Sequence, residues 1–165
     1  MSGIVEYINQ SQCTYKIKVL SFCKDFSNNY DYFKNILDKI KTQNIKYEIK
    51  TDFENVDNFL DEISDLDIAV NMRYHGSLLS VVYGIPSINI IYDIHPHYSN
   101  KMNYLAKIFD LQKFFINYSE LNKLKIKNLL ILLNKEKNIK NRLIKKCDLI
   151  KNKSQKEYFK ILSKI

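Results

Sequence analysis

At 165 residues the chain is long enough for one domain with a full core, or for one domain with a helical extension. Hydrophobic content of 45% with 13% aromatics excludes an intrinsically disordered chain. The formal charge of +8 is unevenly placed: residues 121–165 hold 14 Lys+Arg against 3 Asp+Glu (+11), and residues 1–120 hold 12 against 15 (−3).

In chain order, residues 1–15 carry little pattern and read as an N-terminal segment or linker. Lys16–Ser21 alternates and is β-rich, the mark of a first strand. Asn28 or Asn29 is placed to cap a helix over Tyr30–Lys41 with Phe33, Ile36, Leu37 and Ile40 on one face. Ile45–Ile49 alternates again, and Asn55 then caps a helix through Ile63 with Val56, Phe59, Leu60 and Ile63 inward. Asp67 precedes a third strand, Ile68–Met72, and a helix over Ser77–Tyr83 follows, apolar nearly all round.

Gly84 suits a helix stop and Pro86 prevents continuation. Ser87–Ile91 is a continuous apolar run, as in a parallel strand covered on both faces. A polar loop, Asp93–Asn100, leads to a helix over Lys101–Phe109, and Lys113–Ile116 forms a short fifth strand. Beyond Ser119, an N-cap candidate, the chain reads as helical to its end, with breaks near Asn134–Asn138 and Lys151–Ser154. The β-α alternation predicts an α/β domain over residues 16–120 with a Rossmann-like, doubly wound parallel sheet, and residues 121–165 form a basic helical C-terminal extension.

Aromatic residues are not interleaved with the charges of that extension, so a solvated helical face is the first reading and nucleic acid the weakest. Cys13, Cys23 and Cys147 are odd in number and form no CxxC, which argues against a zinc knuckle or a disulfide framework and fits a reduced, cytoplasmic chain. There is no signal-peptide pattern and no apolar run approaching a membrane span.

The chemistry-bearing residues concentrate where the third and fourth strands end. Ligands of open α/β sheets bind outside the carboxyl ends of strands. Arg73 and His75 there, beside a helix start, point to an anionic ligand, carboxylate or phosphate. For Arg73 the bland alternative is an ion pair with Asp67 or Asp93. Gly76 permits a close backbone turn, and Ser77 reads as an N-cap for Leu79 or Ser80 with ligand contact second. Tyr92 and Asp93 close the neighbouring strand, where Asp93 either orients His75, binds a sugar hydroxyl or caps the loop. Lys101 is either an anion contact or a surface lysine. The His95-Pro96-His97 pair lacks further ligands at supportive spacing, so no metal site is expected. No P-loop, GxGxxG, GxSxG or DxD motif is present, which argues against nucleotide hydrolysis and simple dinucleotide binding.

At Met72-Arg73-Tyr74-His75, Tyr83-Gly84-Ile85-Pro86, Ile90-Ile91-Tyr92-Asp93 and Asn100-Lys101-Met102 through Leu111, the chain resembles the C-terminal half of the polysaccharide pyruvyl transferase family. The likeness extends over roughly Lys16 to Leu121 and is most specific from Asp67 to Leu111. It implies a GT-B-like fold of two Rossmann-type halves. The implied reaction moves a pyruvyl group from phosphoenolpyruvate to a sugar of a surface polysaccharide, with no metal or cofactor. Carried over, Arg73 holds the donor's carboxylate or phosphate, and His75 binds the phosphate or acts as general acid. Tyr74, Gly76, Ser77, Tyr92, Asp93 and Lys101 complete the substrate-binding set that the resemblance implies.

The family's N-terminal half is not recognisable in the chain, so the expectation is a transferase incomplete as a single chain: a fragment, a split gene product that pairs with a separate N-terminal-half chain, or a decayed paralogue. Two alternatives stay open: a GT-B glycosyltransferase half binding a nucleotide sugar, and a truncated, non-catalytic homologue.

Overall fold

The computed structural model describes residues 2–11, 13–21, 30–40, 44–51, 53–93 and 96–162. The expected cap at Asn28 or Asn29, and Cys23 and His95, lie outside these residues. The chain divides into two compact units, Met1–Asp65 with Asn122–Leu130 and Leu66–Leu121 with Ile131–Ile165.

The first unit holds helix α1 (Ser2–Gln10), strand β1 (Tyr15–Leu20), helix α2 (Tyr30–Ile40), strand β2 (Ile45–Lys50) and helix α3 (Val56–Ser64). β1 and β2 pair in parallel, Tyr15 opposite Ile45 through Leu20 opposite Lys50. Their alternation gives the sheet two unlike faces. One carries Tyr15, Ile17, Val19, Ile45, Tyr47 and Ile49; Ile45 is buried in the core with Leu37 of α2.

The other face carries Lys16, Lys18, Glu48 and Lys50, which form an ion-pair ladder. Lys16 meets Glu48 at 2.6 Å, Lys50 meets Glu48 at 3.1 Å, and Lys18 reaches Glu62 of α3 at 2.8 Å. Lys50 also pairs with Glu62. Asn55 caps α3 as expected, its side chain accepting from the Asn58 N–H at 2.9 Å. Val56, expected inward, is 54% exposed: its spacing places it on the stripe of Phe59, Leu60 and Ile63, but it stands at the very end of that stripe, in the first helical position.

The segment read as patternless contains α1, with Gly3 and Ile8 buried. Its partner is distant in sequence, the start of helix α6 (Lys123–Lys135). A Cβ on Gly3 would lie 2.4 Å from the Lys123 carbonyl oxygen, so the two backbones approach too closely for any side chain. Glu6 of α1 pairs with Lys123 at 2.7 Å and Lys127 at 2.9 Å, and these ammonium groups hold its carboxyl below the ordinary range. Asn122, not Ser119, caps α6, accepting from the Lys125 N–H at 2.9 Å.

The second unit holds strand β3 (Ala69–Asn71), helix α4 (Tyr74–Val82), strand β4 (Ser87–Ile91), helix α5 (Pro96–Ile108), strand β5 (Phe115–Asn117) and helix α7 (Ile139–Leu162). The strands are parallel in the order β3-β4-β5, with Asn71 opposite Asn89 and Asn89 opposite Phe115. Every residue of the central strand β4 is buried, as expected of a parallel strand covered on both faces, although Ser87 and Asn89 interrupt the run read as apolar.

Among the described residues the five strands therefore hydrogen-bond as two parallel sheets, where the alternation predicted one doubly wound sheet. The limiting element is β3, which spans only Ala69–Asn71; Asp67 and Ile68 bend before it and Met72 leaves the ladder after it. The helical C-terminal region is present. Its first expected break falls between α6 and α7, but α7 continues through residues 151–154, where Asn152 and Ser154 are too weak as breakers without Gly or Pro.

α4 ends in a Schellman motif. Gly84 takes φ +68°, its N–H donates to the Val81 carbonyl at 3.1 Å, and the Ile85 N–H donates to the Ser80 carbonyl at 2.7 Å. A Cβ at Gly84 would lie 2.8 Å from Ile144 of α7, so this glycine serves both the turn and the helix contact. α5 closes the same way with Asp110 at φ 54°, and Lys146 of α7 pairs with that carboxylate.

Candidate functional site

β3 and β4 end side by side, and the residues singled out in the sequence follow them. Arg73 is extended (φ −127°, ψ 144°) and occupies the N-cap position of α4 without a side-chain cap. The helix starts three residues earlier than the sequence suggested, so Tyr74, His75, Gly76 and Ser77 form its first turn. Ser77 is consequently not an N-cap. It is fully buried, and its hydroxyl donates back to the Arg73 carbonyl at 3.2 Å, the i−4 bond a helical serine makes. Gly76 makes no turn either. It sits inside the helix, where a Cβ would come within 3.1 Å of Asn71 Oδ1, so its role is close packing of α4 on β3.

Arg73 and His75 are exposed, and neither forms an ion pair among the described residues. The His75 ring lies edge-on to Tyr74 with centroids 5.7 Å apart. Asp93 accepts from the Ser119 hydroxyl at 2.5 Å, and Tyr92 meets Tyr118 edge-on at 5.7 Å. The structure thus ties the β4 exit to the segment after β5, and neither of the Asp93 partnerships expected with Arg73 or His75 is formed. Lys101 is exposed on α5. Among the described residues no group of three or more His, Cys, Asp or Glu is arranged to hold a metal ion.

The loop expected over Asp93–Asn100 is short, because α5 begins at Pro96. Proline at a first helical position is pre-organised for the helix and sacrifices no bond there, a signal the sequence offered. The early start carries Tyr98 onto the β3 exit, where its hydroxyl donates to the Met72 carbonyl at 2.6 Å. Burial raises the Tyr98 phenol above its ordinary pKa, while the Tyr74 backbone N–H and the Arg73 charge act the other way.

Beneath these residues lies a neutral polar network. Asn71 Nδ2 donates to Ser80 Oγ at 2.9 Å and to Asn89 Oδ1 at 3.0 Å, and Asn89 Nδ2 donates to Ser87 Oγ at 3.1 Å. Ser80, Ser87 and Asn89 are at most 2% exposed, so each bond lies in a medium where leaving it unmade costs about 1–3 kcal/mol. The network fixes α4, and with it Arg73 and His75, on the sheet.

A family model described as polysaccharide pyruvyl transferase matches residues 2–94, more than half of the chain. The chain belongs to the polysaccharide pyruvyl transferase family. The match takes in α1, which the sequence reading had left outside, together with Arg73-Tyr74-His75 and Asp93. Lys101 and Tyr98 lie beyond its end. No curated protein and no solved structure matches the chain. Among the described residues no helix is long and apolar enough to cross a membrane.

Tyr98 and the Asn71–Asn89 pair are the residues of this candidate region that the sequence does not single out. Asn is depleted in strands, so one inside each apolar run, Ala69-Val70-Asn71 and Ser87-Ile88-Asn89-Ile90-Ile91, was a detectable signal. Tyr98 gave none beyond the Pro96 start that sets its register.

Proposed function

We propose that the carboxyl edge of β3 and β4 binds phosphoenolpyruvate and that the chain serves pyruvyl transfer to a sugar. The carrying observation is an exposed guanidinium at the N-cap of α4, next to an exposed imidazole and without an ion-pair partner among the described residues. A planar fork of donors beside the free N–H groups of a helix start suits a carboxylate or phosphate. Tyr74 and Lys101 border the anion, whereas Gly76 and Ser77 serve it indirectly, by seating α4.

In the reaction, one acceptor hydroxyl adds to C2 of the enolpyruvyl group while C3 takes a proton. The C2–O bond to phosphate breaks, phosphate leaves, and the second hydroxyl bonds to C2 to close the ketal; the two hydroxyl protons lost balance the one gained at C3 and the one carried off by phosphate. Arg73 neutralises charge on the donor, and His75 donates the proton to C3 or to the departing phosphate. Tyr92, exposed just after β4, offers a ring face to the sugar. Asp93, held by Ser119, offers a carboxylate oxygen to a sugar hydroxyl.

Thermal denaturation with increasing phosphoenolpyruvate tests this reading. The midpoint should rise with ligand in the native chain and stay flat in Arg73→Ala. A rise with nucleotide sugars alone would move the assignment to glycosyl transfer, and no response to either would refute a donor site here.

A further inference from the structure

We propose that Tyr98 is a positioning residue for Arg73: its hydroxyl anchors the peptide entering Arg73 and so holds the guanidinium where it meets the anion. The inference rests on the phosphoenolpyruvate reading above and goes beyond it, to a residue outside both the family match and the Arg-x-His motif.

Three observations converge. Tyr98 Oη donates to the Met72 carbonyl at 2.6 Å, bridging α5 to the residue before Arg73 over 26 positions of sequence. The N-cap position that Arg73 occupies has no side-chain cap, so α4 itself does not fix that peptide. The chain is pinned on either side of that peptide: Ser77 and its hydroxyl hold the Arg73 carbonyl at 3.1 and 3.2 Å, and before Met72, Asn71 is tied to Ser80 and Asn89. The carbonyl of Met72 is the point between β3 and α4 that a side chain from α5 holds. Removing the Tyr98 hydroxyl frees that peptide to rotate, which swings the Arg73 Cα–Cβ direction while the sheet and α4 stay in place.

The same contact couples the two loops of the site. Ser99 Oγ, next to Tyr98, donates to the Tyr92 carbonyl at 3.5 Å, so the first turn of α5 touches both strand exits. A ligand that orders the β4 exit therefore also acts on the Arg73 peptide through α5.

The test is a double-mutant cycle on phosphoenolpyruvate affinity using the native chain, Tyr98→Phe, Arg73→Lys and the double variant, with Tyr104→Phe as an exposed control. Tyr98→Phe should weaken binding about three- to tenfold, the loss expected of one neutral hydrogen bond. Tyr104→Phe should bind like the native chain. In the Arg73→Lys background, which lacks the planar fork, Tyr98→Phe should add little, because the group it positions is gone.

Equal affinity in the native chain and Tyr98→Phe would overturn the inference while leaving the donor reading intact. An equal factor in both backgrounds would also overturn it, since a merely structural loss adds independently of Arg73. No binding by the native chain would overturn the donor reading and this inference together.

Discussion

The two units of this chain build parallel β-α structure from opposite materials. In the first, one face of the β1–β2 pair is a ladder of charges, with Lys18 at 12% and Glu62 at 22% side-chain exposure. In the second, the covered polar groups are neutral amides and hydroxyls, Asn71, Ser80, Ser87 and Asn89, inside an otherwise apolar sheet. The difference teaches where a site for a charged ligand can be held. Charges already engaged in pairs have satisfied one another. A neutral network lets the cation above it, unpaired among the described residues, remain available, and it holds position without responding to pH.

The strongest way to break the second unit is at Gly84. Gly84→Ala places a side chain at φ +68° and 2.8 Å from Ile144, so a loss of about 2–4 kcal/mol is expected from strain and overpacking together. Chemical denaturation checks it, and a change below about 0.5 kcal/mol would show that the α4–α7 contact yields freely.

Next is the neutral network. Asn89→Ala leaves one Asn71 donor bond and removes the cross-strand one, a cost of about 1–3 kcal/mol that should be the same at pH 4 and pH 7. A loss that grows on acidification would contradict the neutral assignment.

The smallest effect sharpens the first unit. Lys18, then Lys50, pull the Glu62 carboxyl from its ordinary 4.5 to about 2. Its folded pKa is the lower, so the ladder's contribution is complete above about pH 4.5 and fades as pH falls toward 2. Glu62→Gln should lower stability at pH 7 and reduce the acid dependence between those values. A Gln variant with the native acid slope would mean that other carboxylates carry it.

Much of this fold is legible in the sequence, and for local reasons. β1, β2 and β4 follow from alternation or an apolar run, the Asn55 cap from its side-chain oxygen, and the α4 stop from Gly84 with Pro86 beyond it. The misreadings are of two kinds, distant partners and local bonds that compete with the expected one. α1 is a helix because Gly3 lets it press on Lys123, and no window around Ser2 contains that fact. α4 begins at Tyr74 because β3 is cut short and Ser77 bonds backward, although its residue type favoured a cap. Of the site, Arg73 and His75 were legible as a motif. What seats them, Tyr98 and the Asn71–Asn89 pair, depends on strand register and on where α5 starts.

The most direct measurement is a residue-resolved amide NMR titration of the chain with phosphoenolpyruvate. Saturable shifts are expected at Arg73, Tyr74, His75 and Tyr98, with the Lys16–Lys50 ladder of the first unit unmoved. Shifts centred on that ladder, or none anywhere at saturating ligand, would contradict the placement of the donor at the carboxyl edge of β3 and β4.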